Sequence, residues 1–134
     1  SKNPLFFIDG AHNIEGVRVL AEYLTTYFPD KKKIFIMGVL RDKEYKAMLE
    51  IIAPLADKFI TVTPLSERAL PAAELAENIR AYCKNVLISD TIESGIKTAL
   101  QIYSGDDIIC AFGSLYYIGE IRRYFENLRS SAFS

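Results

Sequence analysis

Five short apolar runs alternate with five stretches whose apolar residues recur every three or four positions. The runs are residues 5–8, 34–39, 59–62, 86–88 and 108–112. The helical period is carried by Ile14, Val17, Leu20, Ala21, Leu24, Tyr27 and Phe28, then by Tyr45, Met48, Leu49, Ile52 and Leu55. It returns at Leu75, Ala76, Ile79 and Tyr82, at Ile92, Ile96, Ala99, Leu100 and Tyr103, and at Leu115, Ile118, Ile121, Phe125 and Leu128. Such a period buries one helix face. The run at 34–39 is apolar throughout, as in a strand covered on both faces. Regular strand–helix alternation implies parallel strands, right-handed crossovers and helices on both sides of the sheet. The expected fold is therefore a Rossmann-like three-layer α/β/α sandwich with a mostly parallel sheet.

Local signals refine the elements. Asp42 can cap the second helix, and Pro71 suits a first helical turn. Asp90 with Glu93 resembles a capping box with Asp in place of Ser or Thr. Lys31-Lys32-Lys33 reads as a solvated loop, and residues 130–134 as a frayed tail after the last helix.

The 134 residues amount to one domain with one core. A net charge of −1 and no basic stripe with interleaved aromatics argue against nucleic acid. No apolar run approaches the roughly 18 residues of a membrane span, and no signal-peptide pattern is present. Cys83, on an expected helix face, and Cys110, in an expected strand, lack metal spacing. Cys110 reads as a small core residue. Together they point to a reducing, cytoplasmic setting. The chain enters its first strand almost at once, as a piece cut from a longer polypeptide would.

In this fold the strand exits share one edge, where open α/β sheets bind ligands. The exits are residues 9–13, 40–43, 63–68, 89–90 and 113–114. Gly10 and Gly113 permit a sharp turn or a close approach of backbone to a ligand. Neither belongs to a G-x-G-x-x-G, and no G-x-x-x-x-G-K-[ST] phosphate loop occurs. His12 stands near a helix start, placed either to meet a carboxylate or phosphate or to pair with Asp9 or backbone. Asp9, directly after an apolar strand, suits ribose hydroxyls or serves as a cap or a partner of Arg18 or Arg41. Ser114 with helix-start N–H groups is a carboxylate or phosphate site or a plain N-cap. It lacks nucleophile-elbow spacing, which excludes an esterase. Arg41 and Lys43 are anion binders or merely solvated.

Asp9-Gly10-Ala11-His12-Asn13 resembles the D-[GY]-A-H-N signature that opens the C-terminal domain of the Mur ligase superfamily. Three further motifs resemble its folylpolyglutamate synthase / dihydrofolate synthase branch: Gly38-Val39-Leu40-Arg41-Asp42-Lys43, Arg68-Ala69-Leu70-Pro71 and Phe112-Gly113-Ser114-Leu115-Tyr116. The likeness runs over residues 5–123. It implies ATP-dependent ligation of L-glutamate to dihydropteroate or to a folate through an acyl phosphate. It also implies a separate central ATPase domain that carries the phosphate loop and the Mg2+ ligands. That domain is not in this sequence, so the resemblance implies a domain that is inactive alone and works against its own N-terminal ATPase domain. Residue by residue, it gives Asp9 the ATP ribose and places His12 near the glutamate and the transferred phosphate. Ser114 is given glutamate binding, and Lys43 a place near the incoming amino acid. Two other readings stay open: a stand-alone nucleotide or amino-acid binding module, and the C-terminal domain of a cell-wall Mur ligase. The motif at 112–116 argues against the second.

Overall fold

The computed structural model describes residues 4–114 and 117–133. Five strands are present: β1 (Leu5–Ile8), β2 (Lys33–Met37), β3 (Lys58–Val62), β4 (Val86–Asp90) and β5 (Ile108–Phe112). They form one sheet in the order β1-β5-β2-β3-β4, and every neighbouring pair is parallel. The helices are α1 (Ile14–Tyr27), α2 (Tyr45–Ile52), α3 (Ala72–Ile79), α4 (Ile92–Ile102) and α5 (Ile118–Phe133), with a 3-10 turn at Ala53–Leu55. The expected α/β/α sandwich is the fold found.

Alternating side chains of the central strands feed two cores. Phe35, Met37, Phe59, Cys110 and Phe112 meet Val17, Leu20 and Leu24 of α1, Met48, Leu49 and Ile52 of α2, and Leu75 and Ile79 of α3. On the other face Ile34, Ile36, Ile60, Val62, Ile109 and Ala111 meet Ile92, Ile96 and Ala99 of α4 and Ile121 of α5. The chain runs outward from β1 to β4 over one face. It then returns to β5 over the other. With right-handed crossovers, reversing direction across the sheet must change the face that the helix covers. β5 is thereby inserted between β1 and β2, and its exit turns opposite to theirs.

Several local expectations change in three dimensions. Asp42 caps nothing: Glu44 holds the N-cap position of α2 without a side-chain bond, and Asp42 is taken by Arg68 instead. Asp90 does not cap α4 but ends β4 at φ +58, and Thr91 is the cap, its side chain accepting from Ser94 N–H (3.1 Å). Tyr82 and Cys83 lie beyond α3, which stops at Ile79, and Tyr82 is exposed. Tyr27 faces solvent although it fits the period of α1. Lys33 belongs to β2 and is buried, its N–H bonded to the Asp57 carboxylate (2.8 Å), while Lys31 pairs with Asp106. The last helix continues to Phe133 and so takes in most of the expected tail. Leu115, placed on the last helix by period, lies outside the described residues.

Candidate functional site

The exits of β1 and β5 are joined directly. Asp9 N–H donates to Ala111 O (2.9 Å), and Gly113 N–H donates to Ala11 O (2.7 Å). Because β1 feeds α1 on one face and β5 feeds α5 on the other, these two loops part at a topological switch point, the usual ligand crevice of an open sheet.

Each side chain of the β1 exit has a defined local role. Asp9 Oδ1 accepts from Ala11 N–H (2.8 Å), an Asx-type turn, and its second oxygen takes no bond from the described residues. His12 Nδ1–H donates to Gly10 O (2.9 Å). With the proton on Nδ1, the neutral ring presents Nε2 as an acceptor. Asn13 caps α1: its Oδ1 accepts from Gly16 N–H (2.8 Å), with Glu15 adding acidity in the first turn. Asn13→Ala should lower stability by about 1 kcal/mol in urea unfolding, the typical value of such a cap.

The β5 exit is packed more tightly. Gly113 has φ +111, and a Cβ there would stand 2.3 Å from Gly38 O at the end of β2. Three exits thus converge at one point, which only glycine permits. Ser114 follows and is only 2% exposed. Below it the buried Tyr117 hydroxyl donates to Phe112 O. Burial pushes its phenol pKa up, and the Cys110 thiol likewise, so neither is a nucleophile at neutral pH. Tyr117 gave no sequence signal, because an aromatic near a helix start reads as ordinary core. Leu115 and Tyr116 of the same motif lie outside the described residues.

Lys43 stands at the entry to α2, half-buried, on a loop tied to the β3 exit rather than to β1. The structure therefore brings Asp9, His12 and Ser114 onto two bonded loops, with Lys43 on the next exit along the same edge. Arg18 pairs with Glu15, and Arg41 with Glu74 (3.2 Å), so neither is the partner of Asp9.

Clefts of about 430 and 340 Å³ open at the opposite edge, around Asp57, Lys58, Asn85 and Asp107. Two of their carboxylates have structural roles: Asp57 accepts from Lys33 N–H and Asp107 from Ser104 N–H (3.0 Å), fixing the strand starts. No group of three or more metal-binding side chains occurs among the described residues. Cys83 and Cys110 are free and buried, and no helix among the described residues is long and apolar enough to cross a membrane.

Residues 1–115 match the family described as Mur ligase, glutamate ligase domain. The chain belongs to that family. The match covers the Asp9–Asn13 and Gly113-Ser114 exits and ends just before α5. A dihydrofolate synthase/folylpolyglutamate synthase of Haemophilus influenzae is 27% identical over 87% of this chain and 28% of its own length. A folylpolyglutamate synthase of Lacticaseibacillus casei is 30% identical over 92% of this chain and 27% of its own. A Mycobacterium tuberculosis folylpolyglutamate synthase, solved with ADP, superposes with a TM-score of 0.82 at 26% identity, over 90% of this chain and 29% of that one. The chain thus spans less than a third of these relatives.

Proposed function

We propose that this glutamate ligase domain holds L-glutamate, and part of ATP, in an ATP-dependent ligase that joins glutamate to a folate or dihydropteroate. The observation that carries the reading is the pair of bonded exits, Asp9–Asn13 and Gly113-Ser114, at the switch point beside β2. The three relatives, all synthases of this type, support the same assignment.

In this reading the folate carboxylate oxygen attacks the γ-phosphorus of ATP and ADP leaves. The neutral glutamate amine then attacks the acyl carbon, the carbon–oxygen bond to phosphate breaks, and the proton lost from nitrogen passes to the departing phosphate. Asp9 offers its unbonded carboxylate oxygen to the ribose hydroxyls. Ser114 and Lys43 meet the glutamate carboxylates, where charge-assisted bonds are the strong ones. His12 Nε2 accepts a hydrogen bond from the amine and so turns the amine's own lone pair toward the acyl carbon. Orientation is the domain's main contribution, since the reacting atoms must lie about 3 Å apart. The chemistry of phosphoryl transfer, including Mg2+, belongs to an ATPase domain that closes over this edge. The free, buried cysteines fit a reducing cytoplasm.

The test is an assay of the native polypeptide for ADP release that requires both glutamate and a folate or dihydropteroate. One amide per ADP is expected. A native chain of this length on an immunoblot, binding ATP or glutamate without releasing ADP, would leave the stand-alone binding module. Within an active enzyme, Asp9→Ala should raise the KM for ATP about tenfold and that for glutamate less than twofold, as loss of one charge-assisted contact does. Normal ATP dependence with poor glutamate use would reverse the roles.

A further inference from the structure

The motif Arg68-Ala69-Leu70-Pro71 has no role in the reading above, yet its backbone laps against the β2 exit. Arg41 N–H donates to Arg68 O (2.7 Å) and Leu70 N–H to Val39 O (2.9 Å), and Leu40 and Ala69 form an isolated antiparallel bridge. Leu70 is fully buried and anchors the lap.

The side chains then sort the charges. Arg41 is held by Glu74 of α3, and the Arg68 guanidinium donates to the Asp42 carboxylate. Of the basic residues on these two loops, Arg41, Lys43 and Arg68, only Lys43 forms no ion pair among the described residues. Asp42 is its sequence neighbour. The bond from Arg68 holds the Asp42 carboxyl below its ordinary pKa, and the charges of Arg68 and Lys43 act in the same direction. Among the described residues no other basic side chain forms an ion pair with Asp42. If Arg68 were removed, the carboxylate would have Lys43 as its one partner. Exposed ion pairs of this kind add little to the stability of a fold. The consequence of this one lies in where it leaves the charges.

We propose that Arg68 is a positioning residue that sequesters Asp42 and so keeps the Lys43 ammonium available to a carboxylate of the incoming glutamate. A tethered carboxylate competes at an effective concentration in the millimolar range, enough to displace a free amino acid. The inference rests on the role given to Lys43 above.

Steady-state kinetics of the ligase as the cell makes it test the point. Arg68→Gln should raise the KM for L-glutamate about fivefold, the most that competition by an exposed ion pair allows, and leave the KM for ATP within about 1.5-fold, with an unchanged urea midpoint. Asp42→Asn added to Arg68→Gln should return the glutamate KM to within about twofold of wild type, because the competing carboxylate is gone. Asp42→Asn alone should be close to wild type. A merely structural latch predicts the reverse: Asp42→Asn as harmful as Arg68→Gln, and no rescue in the double variant. That pattern, or an unchanged glutamate KM in Arg68→Gln, overturns the inference. A wild-type protein that forms no amide from glutamate overturns the functional reading instead, so the two failures are told apart.

Discussion

Gly113→Ala is expected to lower stability by about 3 kcal/mol or more and to abolish ligation. Two independent causes act at this position. The φ of +111 lies where L side chains are strained, and the new Cβ would stand 2.3 Å from Gly38 O and 3.2 Å from Gly38 C. Those atoms are backbone at the end of a central strand and cannot swing aside like a side chain. Gly38 has no room to retreat either, since a Cβ on it would lie 2.8 Å from Val62 O. The variant must push the β5 exit away from β2, break the Gly113 bond to Ala11, or both. The readout is a drop in urea midpoint with an unchanged m-value, together with amide formation. Gly119→Ala is the matched control: nothing lies within 4 Å of its added Cβ in α5, and alanine is the better helix former by up to about 1 kcal/mol. A Gly113→Ala protein as stable and active as that control would mean that the three exits do not converge as described.

His12→Ala should lower kcat/KM for L-glutamate about 100-fold, the scale of loss when reacting groups are misplaced by about an ångström. Stability should change by less than about 0.5 kcal/mol. The ring is half-buried, and among the described residues it bonds only to Gly10 O, two residues away, so its removal opens no cavity in either core. Ser114→Ala should act in the same direction but is the less clean test, because Ser114 is buried and loss of its hydroxyl also costs stability. Unchanged glutamate kinetics in His12→Ala, with the unfolding curve intact, would remove His12 from the amino-acid site.

The elements that read well from sequence are those whose signal is local. The apolar runs of β1 and β5 ended where the strands end, and Val17, Leu20, Leu24, Met48, Leu49 and Ile52 are buried on the faces their spacing implied. Cap assignments failed for two reasons: a distant group took the side chain, or the backbone at the expected cap adopted another conformation. Asp42 has ordinary capping chemistry, but Arg68 approaches from the β3 exit and takes its carboxylate. Asp90 ends a strand in the left-handed region, so the capping geometry passes to Thr91. Tyr27 and Tyr82 fit a helical period yet face solvent, because period marks a face without saying where the neighbouring element stops.

The sequence by itself determined the alternation, the parallel sheet and the shared edge of exits, since hydrophobic periodicity and crossover handedness are properties of short segments. It also placed Asp9, His12, Lys43 and Ser114 at strand ends. Only the tertiary structure decided that β5 lies between β1 and β2, and hence that Gly113-Ser114 bonds the loop of Asp9 and His12. Strand order depends on contacts between segments far apart in the chain, and no local pattern records them. The same holds for the charges around Lys43: Arg41 and Asp42 are its sequence neighbours, and residues of the next strand–helix unit claim both.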